Sequence, residues 1–401
     1  MTSRGVVLER TDGERGARAH TLEPRPLRLL HFTDSLDPSG VGEHIALLAG
    51  ELQACGYQQT LVCPDAPATR WLMERGAGLG LTVEPLHVRS EDDFRDYEAL
   101  VRLLRDGGYD LCHNHIGITW EGCWGTFAAA DAGVPVVCTE HLPYLIDVPG
   151  LHSLKCLAGH HVARTIAVSH GVARSLIESR VVPGDRVHVV WNGIDVARFS
   201  PHRRPELRRA LLGLDLQTPL VVCVGRLTPQ KGHAVLLEAI ALARRAVPRL
   251  TLALAGDGPL REELLAQATR LGLGEAVRFL GKWHDVPPLL SCADVLVQPS
   301  TFEGLPLAVL EGMAAAVPAV VADVVGSNET VVPGESGLIV PPNAPRELAQ
   351  AIQRILEDPA LARRLGTAAR RRAEQEFTAP LMAKRTQAVY ARAVRAPQVV
   401  V

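Results

Sequence analysis

The sequence lacks several features that define common protein classes. None of its 401 residues fall in a run of 18 uninterrupted apolar positions, and its first residues contain no apolar run long enough for a signal peptide. Lys and Arg total 42 against 44 Asp and Glu, so no excess positive charge attracts nucleic acid. The eight cysteines form no Cys-x-x-Cys pair, which disfavours a disulfide framework. We therefore expect a reduced, cytoplasmic globular protein with no nucleic-acid partner.

Familiar catalytic motifs are missing as well. The sequence has no Walker loop, no Gly-x-Ser-x-Gly elbow and no Gly-x-Gly-x-x-Gly fingerprint, so it gives no support for a triphosphatase, a hydrolase or a nicotinamide-dependent enzyme. No Asp-x-Asp pair is present to hold a metal-bound sugar nucleotide. His113 and His115 form a His-x-His pair, but no third ligand follows at an obvious spacing, and zinc needs three or four. The sequence thus predicts no metal site.

What is present is a repeated rhythm of short apolar runs, each followed by a stretch with helical spacing. Six runs precede residue 200 and six follow it, at 27–32, 60–64, 110–115, 135–141, 165–170, 187–193, 219–226, 250–258, 277–282, 294–300, 318–323 and 336–341. Near-continuous Val, Leu and Ile runs that alternate with helices indicate parallel sheets covered on both faces. The polar stretch 199–219 divides the two sets, so we predict two doubly wound α/β domains that face each other across a cleft.

The same pattern sets the expected domain boundaries. Residues 1–26 have charge, Gly and Pro without periodicity and are predicted to be a flexible tail. We predict an N-terminal domain over 27–200 and a C-terminal domain over 201–378, with a further helix at about 379–396. Ligands of such sheets bind at the carboxyl ends of the strands, so the residues after each run are the first candidates for function.

The strongest of these segments runs from Ser300 to Glu311. It contains Glu303-Gly304-Leu305-Pro306-Leu307 after an apolar run, and Pro306 suits the first position of a helix. The free amides of residues 305–308 then form an anion site at the helix start, with Glu303 in the loop and Glu311 inside the helix. The simpler interpretation, a capping glutamate and a solvated helical charge, fits the strand and the Gly-x-Pro less well.

Two cations follow another predicted strand. Gly225-Arg226 ends the run at 219–226, and Lys231 stands five residues further on, at the start of the next helix. Two fixed positive charges at a strand end suit a nucleoside diphosphate. Each cation alone is equally compatible with a surface turn.

Several weaker signals lie near strand ends. The turns Gly256-Asp257-Gly258 and Gly281-Lys282 let the backbone approach a base or a ribose, although glycine after a strand is often only a turn. In the first half, the segment 39–42 is predicted to be a loop in which Gly40 approaches a phosphate, before a helix over 43–52. His141 is a candidate donor to a substrate hydroxyl, or equally a histidine satisfied by the backbone.

Together these motifs resemble the retaining glycosyltransferases of family 4, which have the GT-B fold. The resemblance covers about residues 27–378 and is most specific in the second half; it also includes Asn192-Gly193-Ile194-Asp195 and Gly326-Ser-Asn-Glu329. It implies transfer of a hexose from a UDP- or GDP-linked sugar to an acceptor hydroxyl, with no cofactor and no metal. It also implies that the last helix, within 379–401, packs back on the first domain.

The resemblance assigns roles to individual residues. The expected catalytic residues are Glu303 on donor-sugar hydroxyls, His141 facing the donor sugar, and Arg226 and Lys231 on the diphosphate. Glu311 is expected to hold the ribose. The remaining expected donor-binding residues are Gly40, Gly225, Gly256, Asp257, Gly258, Gly281, Gly304, Leu305 and Leu307. The sequence departs from the family pattern at Ser39, Gly42 and Ala316, where a glycine, a Glu or Gln, and a glycine are usual.

Some alternatives stay open at this level. An epimerase that acts on the sugar nucleotide, or a binding protein without catalytic activity, would need the same donor-binding motifs. The acceptor is expected to be a sugar or a lipid-linked sugar in glycan or glycolipid assembly. Two basic stretches, 70–73 and 370–372, are candidates for peripheral contact with the inner face of an anionic membrane, although such runs are usually solvated.

Overall fold

The N-terminal domain is built on a seven-stranded parallel sheet. The computed structural model describes residues 27–37, 39–87, 96–118, 121–283 and 285–395, so the predicted tail at 1–26 lies outside the described residues. The elements of the domain are β1 (Arg28–Phe32), α1 (Ser39–Ala54), β2 (Gln58–Pro64), α2 (Arg70–Gly78), β3 (Thr82–Leu86), α3 (Tyr97–Asp106), β4 (Leu111–Ile116), α4 (Cys123–Asp131), β5 (Val136–Glu140), α5 (Pro149–His161), β6 (Val162–Ala167), α6 (His170–Glu178) and β7 (Val187–Val189). The strand order is β3-β2-β1-β4-β5-β6-β7.

The C-terminal domain repeats this architecture with six strands. Its elements are α7 (Leu207–Leu212), β8 (Leu220–Val224), α8 (His233–Ala243), β9 (Thr251–Ala255), α9 (Arg261–Arg270), β10 (Val277–Gly281), α10 (Val286–Ser291), β11 (Val295–Gln298), α11 (Leu307–Ala314), β12 (Ala319–Ala322), β13 (Leu338–Val340), α12 (Pro345–Glu357), α13 (Pro359–Glu376) and α14 (Ala379–Val394). The strand order is β10-β9-β8-β11-β12-β13. The predicted fold of two doubly wound α/β domains is confirmed, and its buried Val and Leu runs form the strands.

One strand of the first domain was not predicted. The expected six runs correspond to β1, β2, β4, β5, β6 and β7, while β3 is an additional strand with the sequence Thr-Val-Glu-Pro-Leu. It pairs in parallel with β2 at the edge of the sheet, and only its last residue is buried. An edge strand tolerates proline and needs no continuous apolar run, so its sequence carries no strand signal.

Two helix starts differ from the prediction. Helix α1 begins at Ser39, so Gly40 and Gly42 lie in its first turn and not in a loop before residue 43. Helix α11 begins at Leu307, one residue after Pro306, whose extended backbone precedes the helix. At the end of α11, Ala316 has a φ of +56°, the left-handed conformation that explains why a glycine is usual there.

The chain crosses between the domains twice, at one place. The amide of Ile194 donates to the carbonyl of Phe377 at 2.9 Å, and the amide of Ala379 donates to the carbonyl of Ile194 at 2.9 Å. After this crossing α14 packs on the N-terminal domain, where Tyr390 is fully buried beside Leu29 and Leu48. The predicted return of the last helix is confirmed.

The fold shows the surroundings of the cysteines and of the arginines at 370–372. All eight thiols are free, and six of them are buried. Arg370 donates to the carbonyls of Phe199 and Val196, and Arg372 to that of Glu329. Arg371 forms an exposed ion pair with Glu335 at 3.4 Å, so all three arginines at 370–372 have partners in the protein itself. Among the described helices, none combines the length and the apolar character that a bilayer span requires.

Candidate active site

The site lies where the strand order of the C-terminal sheet reverses. β8 and β11 are neighbours there, and the chain leaves them toward opposite faces of the sheet, which opens a crevice at their carboxyl ends. The loop after β8 contains Arg226 and Lys231, and the loop after β11 contains Glu303. Gly232 joins the two loops: it has a φ of +67°, and a Cβ there would lie 2.1 Å from the carbonyl oxygen of Pro299. The close approach of these loops therefore depends on a glycine.

Lys231 and Glu303 form an ion pair in this crevice. The distance from Lys231 Nζ to Glu303 Oε1 is 2.6 Å, and the side chains are 16% and 4% exposed. The aliphatic part of the Lys231 side chain passes over Gly225 at the end of β8, since a Cβ on Gly225 would lie 3.5 Å from Lys231 Cδ, an ordinary contact. An ammonium group has three hydrogen-bond donors, so Lys231 can hold Glu303 and bind an anion at the same time.

Two further side chains orient Glu303. Gln298 Nε2 and Ser300 Oγ donate to Glu303 Oε1 at 3.0 and 2.7 Å. All three bonds meet the same oxygen, so Oε2 has no donor among the described residues and can accept from a substrate hydroxyl. Gln298 was not predicted to belong to the site. The sequence feature that could have indicated it is the position of Gln298 as a polar residue at the end of the apolar run Val-Leu-Val-Gln.

Arg226 lies in the same loop as Lys231 and contacts the N-terminal domain. Its guanidinium is 3.5 Å from the carboxylate of Asp37, which follows β1 in the N-terminal domain, and both side chains are largely exposed. An exposed pair at this distance contributes little to stability, so Arg226 is free to exchange its partner for a phosphate. Asp37 was not predicted, and it shows that Arg226 faces the N-terminal domain across the cleft.

The glycine turns of the C-terminal domain pack against the Arg226 loop. The Gly256 amide donates to the Gly281 carbonyl at 2.8 Å, and a Cβ on Gly256 would lie 1.9 Å from the Gly225 carbonyl oxygen. A Cβ on Gly258 would lie 2.6 Å from the Leu227 carbonyl oxygen, while the side chain of Asp257 accepts from the Gly258 amide at 2.9 Å. These contacts hold the carboxyl ends of β8, β9 and β10 close together. Gly256 and Gly258 therefore have a packing role that the sequence did not reveal.

Glu311 is set apart from the other acidic residue. It is half-buried on α11, and no described contact joins it to Glu303. Burial raises the pKa of its carboxyl to about 7, and the negative charge of Glu43 on α1 raises it further, while Arg198 has the opposite effect. Because Glu43 belongs to the N-terminal domain, the charge of that domain also acts on Glu311.

The N-terminal domain contacts this site through His141. A Cβ on Gly304 would lie 1.7 Å from the His141 carbonyl oxygen, so the loop with Glu303 touches the end of β5 directly. His141 is 9% exposed, and its Nε2 has no hydrogen-bond partner among the described residues. Burial and the neighbouring His44 hold its pKa well below the usual range, so the ring is neutral at pH 7.

Two polar contacts fix the domains around His141. Asn192 Nδ2 donates to the carbonyl of Leu305 at 2.8 Å, and Asn192 Oδ1 lies 3.0 Å from His44 Nδ1. Glu329 accepts from the amides of His170 and Gly171, at 2.8 and 2.7 Å, and so caps the start of α6 from the other domain. The Leu305 carbonyl, just before α11, therefore contacts the N-terminal domain, and Leu307 begins the helix. Gly40 is exposed in the first turn of α1.

The geometry agrees with what known proteins show. A family model described as "Glycosyltransferase Family 4" matches residues 38–198, and one described as "Glycosyl transferases group 1" matches 206–372. The alpha-maltose-1-phosphate synthase of Mycolicibacterium smegmatis is 33% identical over 316 residues, which cover 70% of this chain and 78% of that protein. This chain is a family 4 glycosyltransferase.

Other relatives of the glycosyltransferase fit the same assignment. The UDP-Gal:alpha-D-GlcNAc-diphosphoundecaprenol alpha-1,3-galactosyltransferase of Escherichia coli is 27% identical over 317 residues, 76% of this chain and 81% of that one. A crystal structure of Anabaena HepE in complex with UDP and glucose superimposes with a TM-score of 0.79 at 23% identity, over 91% of this chain and 99% of that chain. At this identity the structural likeness establishes the GT-B fold.

Proposed function

We propose that the enzyme transfers a hexose from a nucleoside-diphosphate sugar, linked to uridine or guanosine, to a hydroxyl of a sugar or lipid-linked acceptor with retention of anomeric configuration. The observation that carries this proposal is the Lys231–Glu303 ion pair at the reversal point of the sheet, with Oε2 of Glu303 left for a substrate hydroxyl. The E. coli relative, whose donor is UDP-galactose by name, supports a nucleotide-sugar donor.

The charges of the crevice suit the departure of a diphosphate. The bond from the anomeric carbon to the phosphate oxygen breaks, and negative charge develops on that oxygen. Lys231, Arg226 and the amides at the start of α11 stabilise this charge, which is the largest contribution we assign to the protein. We assign no metal ion to the diphosphate, because the two cations supply the positive charge.

The acceptor attacks the face that the leaving group vacates. Its hydroxyl oxygen bonds to the anomeric carbon, and its proton passes to the leaving phosphate oxygen on the same face. Glu303 holds donor-sugar hydroxyls and Glu311 the ribose, while neutral His141 donates to a sugar hydroxyl. The products are the nucleoside diphosphate and a glycoside of unchanged configuration. Glycan or glycolipid assembly is the setting we propose.

Donor binding and the outcome of the reaction test this proposal. We expect one member of a panel of UDP- and GDP-sugars to raise the thermal unfolding midpoint, because a ligand at 100 times its Kd adds about 2.7 kcal/mol of stability. Incubation of that donor with acceptors, followed by NMR, should give a glycoside with the anomeric configuration of the donor. A product of inverted configuration, or conversion of the donor without an acceptor, would overturn the proposal.

A pair of lysine variants tests the site itself. Lys231→Ala should raise the activation free energy for kcat/KM by about 2–3 kcal/mol, a loss of roughly 30- to 160-fold, because the diphosphate loses a charge-assisted hydrogen bond. Lys384→Ala removes an exposed lysine of α14 and should leave kcat/KM unchanged. Wild-type turnover by Lys231→Ala would refute the assigned role.

A further inference from the structure

Five histidines meet inside the N-terminal domain, at the carboxyl ends of β1, β4 and β5. The ring centroids of His44 and His141 are 4.6 Å apart, and those of His115 and His141 are 5.9 Å apart. His31 and His113 complete the cluster, and all five rings are at most 9% exposed. The spacing of the chain had suggested only the pair His113 and His115. His44 comes from α1, which contacts β4.

Two of the five rings have both nitrogens occupied. His113 Nδ1 lies 2.6 Å from the Tyr390 hydroxyl, and its Nε2 lies 2.7 Å from Thr139 Oγ1. His31 bonds to Gln59 and to His115. The other three rings each have a buried nitrogen with no partner among the described residues, namely Nε2 of His44, Nδ1 of His115 and Nε2 of His141.

Hydrogen bonds fix the proton of His115 away from the free nitrogen. Gln59 donates its amide group to the Ala49 carbonyl at 3.0 Å, so its oxygen accepts from His31 Nε2 at 3.0 Å. A neutral imidazole has one N–H, and His31 uses it toward Gln59, so its Nδ1 accepts the Nε2 hydrogen of His115 at 3.2 Å. The unpartnered Nδ1 of His115 therefore has a lone pair.

The same logic applies to His44. The amide group of Asn192 donates to the Leu305 carbonyl, so Asn192 Oδ1 must accept from His44 Nδ1. A neutral imidazole has one N–H, and His44 uses it toward Asn192, so its buried Nε2 is a second bare lone pair. Two neutral imidazoles whose outer nitrogens are hydrogen-bonded and whose inner nitrogens are free match the way in which metal-binding histidines are held.

We propose that His44, His115 and His141 bind a divalent transition-metal cation of the class that prefers imidazole, such as Zn²⁺ or Co²⁺. Each residue offers one ligand nitrogen, and the three lie within 4.8 Å of one another, while a tetrahedral zinc site with bonds of about 2.0–2.1 Å needs about 3.4 Å between ligands. Metal binding would have to draw the three nitrogens together to that distance. Three protein ligands leave a fourth position open.

The metal would act on His141 as a positioning element. Coordination at Nε2 would hold the proton of this ring on Nδ1, the nitrogen that then donates to a sugar hydroxyl. The three ligands belong to the N-terminal domain, whereas Arg226 and Lys231 belong to the C-terminal domain. This site is therefore separate from the charges that we assign to the diphosphate.

Metal binding can be measured without any sugar nucleotide, so its result is independent of the proposed transferase activity. The full chain, stripped with a chelator, should bind one equivalent of Co²⁺ with the intense visible absorption of a four-coordinate site, and Zn²⁺ should displace it. His44→Gln and His115→Gln should each weaken this binding more than about tenfold, since loss of even an outer-shell partner costs that much.

His188→Gln is the matched control. Its Nε2 is also unpartnered, but it lies outside the cluster, so the Co²⁺ spectrum should not change. Circular dichroism verifies that each variant is folded. If a variant does not fold, the Co²⁺ absorption spectrum of the wild type still tests the proposal. Absence of the absorption in the wild type, or equal binding by His44→Gln and His188→Gln, would overturn the proposal and leave a hydrogen-bonded histidine cluster.

Discussion

At the scale of single residues, Glu311 has a charge that we expect to bind a ligand but that lowers the stability of the folded protein. Its pKa is raised from 4.5 to about 7 in the folded protein, by burial first and by Glu43 second. Between these pH values the unfolded chain releases a proton that the folded chain keeps, so the free energy of unfolding falls as pH rises and levels off above pH 7. The ionised carboxylate therefore destabilises the folded protein above pH 7.

Glu311→Gln should remove this pH dependence. We expect the variant to be more stable than the wild type by at most about 3 kcal/mol above pH 7, and by nothing near pH 4. Urea unfolding at several pH values measures the difference, and Glu263→Gln on the exposed face of α9 serves as control. Donor affinity should fall in Glu311→Gln alone. A constant difference across pH would contradict the assignment.

At the scale of elements, the first turn of α1 contains a glycine, Gly40, that the fold itself does not require. Gly40 is helical and exposed, and a Cβ at this position would meet no atom within 4 Å, so nothing in the fold requires glycine there. Glycine within a helix costs about 0.5–1 kcal/mol relative to alanine. Its presence is explained if a diphosphate approaches the backbone at this turn.

Gly40→Ala should therefore raise the stability by roughly 0.5–1 kcal/mol and lower kcat/KM through a weaker donor complex. Gly50→Ala is the control within the same helix, because its Cβ would make only an ordinary contact of 3.6 Å with Leu79. It should stabilise the protein equally without a loss of activity. Chemical unfolding and initial rates distinguish the two, and full activity of Gly40→Ala would remove Gly40 from the site.

The elements also show what sequence can predict. Lys231 and Glu303 were predictable because each follows an apolar run, and parallel strands present their carboxyl ends at one edge. Their direct ion pair was not predictable, because it depends on β8 and β11 being neighbours, and no local sequence pattern indicates the order of the strands. Likewise His44 appeared to be one polar residue on a helix. Only the strand order brings it to His115 and His141.

The whole molecule depends on how the two domains are joined. The predicted division into two sheets followed from periodicity, but the joint itself involves contacts between residues nearly two hundred positions apart, which periodicity cannot show. Ile194 pairs with Thr378 in a short parallel bridge, and Glu329 and Asn192 cross the interface nearby. The cleft geometry thus depends on the backbone contacts of the crossing together with the side-chain contacts of Asn192 and Glu329.

Gly193 lies at the centre of this joint. A Cβ there would stand 2.5 Å from the carbonyl oxygen of Thr378 and 2.7 Å from Cα of Ala379, and backbone atoms cannot move aside as a flexible side chain does. Gly193→Ala should therefore separate the two crossing segments and cost about 1–3 kcal/mol of stability, as overpacking does. Because the separation moves Glu303 away from His141, kcat/KM should fall as well.

The control for this variant is Gly184→Ala, whose Cβ would meet Ile177 at an ordinary 3.6 Å. Urea unfolding should show a loss for Gly193→Ala and little change for Gly184→Ala, and only the former should lower the rate of sugar transfer. If Gly193→Ala matched the wild type in both measurements, the crossing would be able to widen freely. The alignment of Lys231, Glu303 and His141 would then have to depend on the side-chain contacts of Asn192 and Glu329, and not on the close packing of the two backbones.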